Sequence, residues 1–200
     1  MTSILPTVML IRHGETAWSL SGQHTGRTDI ALTANGEAMA RELAPMLAPF
    51  RFSHVFTSPL QRARRTCLLA VNGRMAVTDA DLAEWDYGRY EGLDTPQVHA
   101  LDPGWNVFTN GSPGGESVAN VVARADRVID RLRTMTGPIA VFSHAHFGRV
   151  LAARWVGLPG AAGEHLVLDP ASLSVLGARP GYPAVPVIVR WNVVAPDRLI

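Results

Sequence analysis

Val8-Met9-Leu10-Ile11-Arg12-His13-Gly14-Glu15 is the stretch on which the reading of this chain turns. A short apolar run that ends in a polar burst reads as a buried strand delivering side chains to the edge of a sheet. An arginine beside a histidine at such an edge suits phosphate chemistry. The guanidinium can grip phosphate oxygens through two parallel hydrogen bonds. The imidazole can attack phosphorus or move a proton near neutral pH.

Outward from this stretch, apolar runs alternate with helical patterns. Thr7–Arg12, Ser53–Ser58, Ala76–Asp79, Ile139–Ser143, Ser172–Leu176 and Val185–Trp191 read as strands. Ala34–Leu47, Pro59–Val71, Glu116–Met135 and Phe147–Val156 read as helices. The alternation predicts an α/β fold, a three-layer α/β/α sandwich around a mostly parallel, mixed central sheet. Ser58-Pro59-Leu60-Gln61 carries a helix-start signature, with Ser58 as N-cap, Pro59 in the first turn and Gln61 completing a capping box. Residues 94–115 are rich in Gly and Pro and read as a loop or cap over a site. No linker interrupts the chain, and a single domain over residues 1–200 is expected.

Composition narrows the function. The chain is 47% hydrophobic, enough for a full core, and its net charge of +1 does not suggest a nucleic-acid binder. All 18 basic residues are arginine, which excludes Schiff-base lysine chemistry and a P-loop lysine. The single cysteine, Cys67, excludes an internal disulfide and fits a small core position. No apolar run is long enough to span a bilayer and no secretory signal is evident, so a cytoplasmic protein is expected.

Four further segments supply parts that Arg12 and His13 lack. Arg62 falls in the first turn of a helix after a strand, where the macrodipole disfavours a cation unless an anion faces it. Arg64 and Arg65 read as ordinary exposed arginines. Ser143-His144-Ala145-His146 follows the strand Ile139–Phe142, so His144 can enter the same crevice as His13. His144 and His146 lack companion ligands for a tetrahedral metal set, and no metal is expected; His146 reads as a helix-start residue. In Glu84-Trp85-Asp86-Tyr87-Gly88-Arg89-Tyr90-Glu91, carboxylates interleave with aromatic residues. A carboxyl group partly dehydrated by such neighbours is suited to protonating a leaving alkoxide. Spacing does not choose between Glu84, Asp86 and Glu91. Finally, Ser21-Gly22-Gln23-His24-Thr25-Gly26-Arg27-Thr28-Asp29 is a polar loop able to present backbone N–H groups to an anion.

Together these residues resemble the histidine phosphatase superfamily, also called phosphoglycerate mutase-like, from Arg12 to about Arg149. Arg12-His13-Gly14-Glu15-Thr16 resembles its signature, and His13 takes the place of the phosphorylated nucleophile. Thr25-Gly26, Arg62, Glu84 and His144 match the phosphate-loop pair, second arginine, proton donor and second histidine. The resemblance implies that Arg12, Arg62 and His144 hold the phosphoryl oxygens and that Glu84 serves as acid, then base, with no cofactor. Ser19, Thr25, Gly26, Tyr87 and Ala145 are the implied substrate-binding positions. Ser19 stands where the family often has asparagine, and Ala145 where many members have glycine; Ala145 is acceptable if the backbone there does not need positive φ. The run 83–88 and the later Gly114-Gly115-Glu116-Ser117 most resemble a bacterial acid phosphatase branch.

A small phosphorylated substrate is therefore expected. Tyr90 to Ala123 contains no arginine or lysine and offers only His99 as a cation. That favours a phosphomonoesterase, with sugar phosphates as candidate substrates, over a phosphoglycerate mutase, which must also hold a carboxylate. A weakly active phosphate-binding protein is the other alternative. A homodimer is allowed, and Trp155, Leu158 and the apolar C-terminal strands are where an interface would be sought.

Overall fold

The computed structural model describes residues 4–73 and 75–195, so the ends of the expected single domain lie outside the described residues. Six strands form one sheet: β1 (Val8–Arg12), β2 (His54–Thr57), β3 (Val77–Thr78), β4 (Ile139–Ser143), β5 (Leu173–Arg179) and β6 (Tyr182–Val193). Their order is β3-β2-β4-β1-β5-β6. The first four strands are mutually parallel, while β5 runs antiparallel to β1 and β6 antiparallel to β5. The sheet is thus mostly parallel and mixed, as expected.

Alternation in β1 builds the layers. Val8 and Leu10 pack on one face with Val121, Ala125 and Leu151, whereas Met9 and Ile11 pack on the other with Leu43, Leu47 and Cys67. All four strand residues are fully buried, and each contributes about 1.5–3 kcal/mol through lost apolar exposure. The helices follow from this. α1 (Ala17–Ser21), α2 (Ala34–Leu47), α3 (Gln61–Ala70), α4 (Thr95–Leu101), α5 (Val107–Asn110), α6 (Val118–Arg133) and α7 (Ala145–Trp155) are arranged so that α2 and α3 cover one face of the sheet and α6 and α7 the other. The amphipathic stripe of α6 buries Val121, Ala125, Val128, Ile129 and Leu132.

Several boundaries differ from expectation, each for a local reason. α3 starts at Gln61 rather than Pro59, with Leu60 at its N-cap and no side-chain cap. Ser58 Oγ accepts from Leu60 N at 3.3 Å, before the helix proper begins, and also contacts Nε2 of His144 at 2.7 Å. The Gln61 side chain reaches Asp29 O instead of closing a capping box. The stretch 94–115 is not a plain loop. Asp94 and Gln97 form a capping box that starts α4, and Asn106 caps α5. α1 also escaped the pattern reading, being a single turn capped by Thr16. β6 is longer than Val185–Trp191 because an edge strand tolerates Pro183 and Pro186. Trp155 is fully buried, with its indole N–H donating to Gly177 O, and so cannot form a dimer interface.

Candidate active site

Register brings the chemistry together. Arg12 lies beside Ser143 across β1 and β4, and Thr57 lies beside Phe142 across β2 and β4. Hence the residues just past three parallel strands, His13, His144 and Ser58, share one edge, the carboxyl edge where open α/β sheets bind ligands. The His13 and His144 rings meet edge-on with centroids 5.1 Å apart.

His13 is 5% exposed and its Nδ1 lies 2.7 Å from Gly14 O. A carbonyl only accepts, so Nδ1 carries the proton and Nε2 holds a free lone pair. Burial, then the Arg62 and Arg12 charges, hold the His13 pKa well below its ordinary range. His144 is lowered well below that range too, by burial, then by Arg62. Arg62 Nε donates to His144 Nδ1 at 3.2 Å. The His144 proton therefore sits on Nε2, facing Ser58.

Arg62 is fully buried. Its Nη1 donates to Thr28 O and its Nη2 to Thr25 O and Gly26 O, all at 2.9–3.0 Å. The sequence places Arg62 on the phosphate; the structure shows most of its donors holding the 25–28 loop and His144. The same loop corrects a second expectation. Gly26 N–H does not point at an open anion site but donates to the Glu91 carboxylate, which also accepts from Thr28 N. A Cβ at Gly26 would come within 2.4 Å of Trp85 O, so only glycine fits.

The three candidate carboxylates separate by place. Glu91 ties down the loop. Asp86 accepts from Gly88 N and pairs with Arg27. Glu84 lines the cleft, 7% exposed, and accepts three backbone N–H bonds: Oε1 from Trp85 and Phe147, Oε2 from His146. Two of these come from the first turn of α7, where a negative group is favoured.

The cleft is about 260 Å³ and is lined by Arg12, His13, Ser19, Thr25, Glu84, Tyr87 and Ala145 among others. Arg62, His144 and Gly26 stand behind its wall. Ser19 Oγ is engaged in the Thr16 capping box, accepting from Thr16 N and donating to Thr16 O. Ala145 opens α7 without positive φ, so the departure from glycine carries no strain. Arg12 Nη1 donates to Leu168 O at 2.5 Å, while its Nε is buried with no partner.

Sequence reasoning missed two histidines in the cleft wall, His24 and His146. Tyr87 Oη meets His146 Nδ1 at 2.6 Å, and the His24 and Tyr87 rings are 4.9 Å apart. Proximity to His144 was the available signal for His146, and the glycine-bearing loop for His24. Among the described residues, no three His, Cys, Asp or Glu side chains are grouped as a metal site. No helix among the described residues is long and apolar enough to cross a membrane.

This fold and this strand-edge constellation define a phosphoryl-transfer enzyme class. The chain belongs to the histidine phosphatase superfamily (branch 1), whose family model matches residues 8–194, and it is a phosphatase. It is 43% identical over 178 residues to an acid phosphatase of Mycobacterium tuberculosis, covering 87% of each chain. It is 34% identical over 190 residues to a sedoheptulose 1,7-bisphosphatase of Saccharomyces cerevisiae, covering 79% of this chain and 70% of that one. The solved structure of an open-reading-frame product of Mycobacterium tuberculosis superposes with a TM-score of 0.89 at 38% identity, covering 94% of this chain and 98% of that one.

Proposed function

We propose that the protein is a phosphomonoesterase for small, otherwise neutral phosphorylated metabolites, sugar phosphates included, and that it works through a phosphohistidine on His13. One observation carries this reading: the Gly14 carbonyl pins the His13 proton on Nδ1 and leaves the Nε2 lone pair free in a cleft that also holds Arg12 and Glu84.

Nε2 attacks phosphorus in line, and the bond to the ester oxygen breaks. Arg12 meets the phosphoryl oxygens with donors that include its unpartnered Nε. Arg62 adds positive charge from behind, and His144 offers its Nε2–H, shared with Ser58 in the free enzyme. Charge spreading over the transferring group is thereby stabilised. Glu84 donates a proton to the leaving oxygen. Its Oε1 already accepts two N–H bonds and its Oε2 one, so Oε2 is the oxygen with room for that proton. In the second half, the Glu84 carboxylate takes a proton from water. The hydroxide displaces the Nε2–P bond, and inorganic phosphate leaves.

The leaving-group side supports a neutral alcohol. Among the described residues lining the cleft, Arg12 is the one arginine; the rest of that side is Trp18, Gln23, His24, Tyr87 and Thr95. Burial lowers the pKa of His24 and His146, so both are uncharged near neutral pH and offer hydrogen bonds rather than a seat for a second anion. His99, the other cation considered, is held by Trp105 O. The similarity to an acid phosphatase and to a sedoheptulose bisphosphatase supports hydrolysis of small phosphorylated compounds, sugar phosphates among them; the neutral leaving group is argued from the cleft lining alone. The test is phosphate release from p-nitrophenyl phosphate and a panel of sugar phosphates, beside phosphoglycerate interconversion. Hydrolysis that exceeds mutase turnover is expected; rapid interconversion with little free phosphate overturns the reading.

A further inference from the structure

The segment 81–86 that carries Glu84 is short of regular structure. After a single turn at Ala80–Leu82 it runs without helix or strand through a mostly buried region, so its carbonyls need donors from elsewhere. One side chain supplies three of them. Arg124, in the second turn of α6, donates through Nη1 to Asp81 O at 2.8 Å and Ala83 O at 2.9 Å, and through Nη2 to Glu84 O at 3.3 Å. Its remaining donors form a fork on Glu116: Nε to Oε1 at 2.7 Å and Nη2 to Oε2 at 2.8 Å. All five N–H groups of this guanidinium are therefore engaged.

Glu116 completes the clamp from the other side. Its Oε2 accepts from Asp86 N, its backbone N–H donates to Asp86 O, and its carbonyl accepts from the Trp85 indole. Gly115 allows the approach, since a Cβ there would lie 2.1 Å from Asp86 O. The Arg124 and Glu116 side chains are 13% and 20% exposed, so the ion pair is largely shielded from water.

We propose that Arg124 and Glu116 act as a positioning pair for the proton donor, fixing the Glu84 backbone so that its carboxylate reaches across to the leaving oxygen. The inference rests on the assignment of Glu84 as that donor. Neither residue touches the cleft. Their effect passes through the Glu84 main chain, which the guanidinium grips directly, while the first turn of α7 grips the carboxylate. A rigid acid held at both ends keeps the short, aligned contact that proton transfer demands.

The pair has a signature that general stability lacks. A displaced acid slows the expulsion of poor leaving groups and spares good ones. The test compares kcat/KM, which reports only the phosphorylation half, for an alkyl phosphate and for 2,4-dinitrophenyl phosphate, whose phenolate departs unaided. Arg124→Lys keeps the charge but cannot serve a carboxylate fork and three carbonyls together. It is expected to lower the alkyl-to-aryl ratio of kcat/KM about tenfold, against about 100-fold for Glu84→Gln. Glu116→Gln, which keeps the size and one acceptor, should lower the ratio in the same direction and covers the case in which the lysine variant fails to fold. In a Glu84→Gln background, Arg124→Lys should leave the ratio where it was. Equal loss on both substrates, or an unchanged ratio in folded variants, overturns the positioning role. If Glu84→Gln itself leaves the ratio unchanged, the donor assignment fails instead.

Discussion

The imidazoles of His13 and His144 stand edge to face, 5.1 Å between centroids and 62° between planes, and burial beside Arg62 and Arg12 keeps both uncharged at neutral pH. Two neutral histidines are what a nucleophile and its neighbouring donor require. A protonated His13 would have no lone pair to offer.

The pH dependence of catalysis follows. The His13 pKa is depressed by burial first and by Arg62 and Arg12 next. As the proposed nucleophile, His13 should therefore stay unprotonated as pH falls past 6.5, and the acid limb of kcat/KM attributable to it should lie below that value. Arg12→Gln removes one positive charge, so it should move this limb to higher pH while lowering kcat/KM throughout. A steady-state profile from pH 4 to 9 (about five units, wide enough to frame a histidine titration) checks both.

Stability has the opposite preference. The folded pKa values of His13 and His144 lie below their unfolded values, so the unfolded chain binds protons first as pH drops. Native stability is then complete above the unfolded value of 6.5 and declines below it. The slope is about 1.4 kcal/mol per pH unit for each histidine, hence about 3 for the two. His146, lowered well below its usual range by burial, acts in the same direction. Urea midpoints measured from pH 8 to 5 should fall steadily once below the ordinary histidine range.

Removing the His13 imidazole gives the most direct test of the proposed reaction. His13→Ala should lower kcat on the order of 10⁴-fold or more and abolish any acid-labile phosphoenzyme, with little change in KM. Rapid quench with a ³²P-labelled substrate, followed by digestion and mass analysis, locates the label. Label on another residue, or full turnover by the variant, would sink the assignment.

Glu91 tests the loop that holds Arg62. Its carboxylate binds Gly26 N and Thr28 N, and the loop carbonyls in turn bind Arg62. Glu91→Ala should cost about 2–3 kcal/mol of stability by leaving those partly buried amides unpaired. KM should rise as Arg62 loses its anchor, while the alkyl-to-aryl ratio of kcat/KM that reports on Glu84 stays put. Thermal melts beside steady-state kinetics decide the point.

What was legible in the sequence was what one element dictates by itself. Val8–Ile11 had to be buried on both faces, and that alone placed Arg12 and His13 at a sheet edge. Ala34–Leu47 came out with the observed ends because Thr33 caps it and its stripe is regular. What was not legible depends on contacts between elements. Ser58 looked like a helix cap and instead meets a histidine 86 positions away. Spacing leaves Glu84, Asp86 and Glu91 alike and only the family resemblance singles out Glu84; the α7 amides, the Arg27 pair and the 25–28 loop give the three their separate places. The helices within 94–115 were masked by glycine and proline, though the Asp94–Gln97 capping box was there to be found. Arg62 was rightly set at a helix start, but the carbonyl oxygens that claim it come from a loop more than 30 positions earlier.

Because the alternation of Val8 to Ile11 between the two buried faces and the location of His13 are set by the same five-residue strand, deleting or inserting a single residue there would swap the faces and misplace His13 at once. No such coupling binds α4, a short helix whose Thr95 lines the cleft. Divergence among relatives should therefore gather at that helix, where new substrates can be tried without unsettling the reaction beneath.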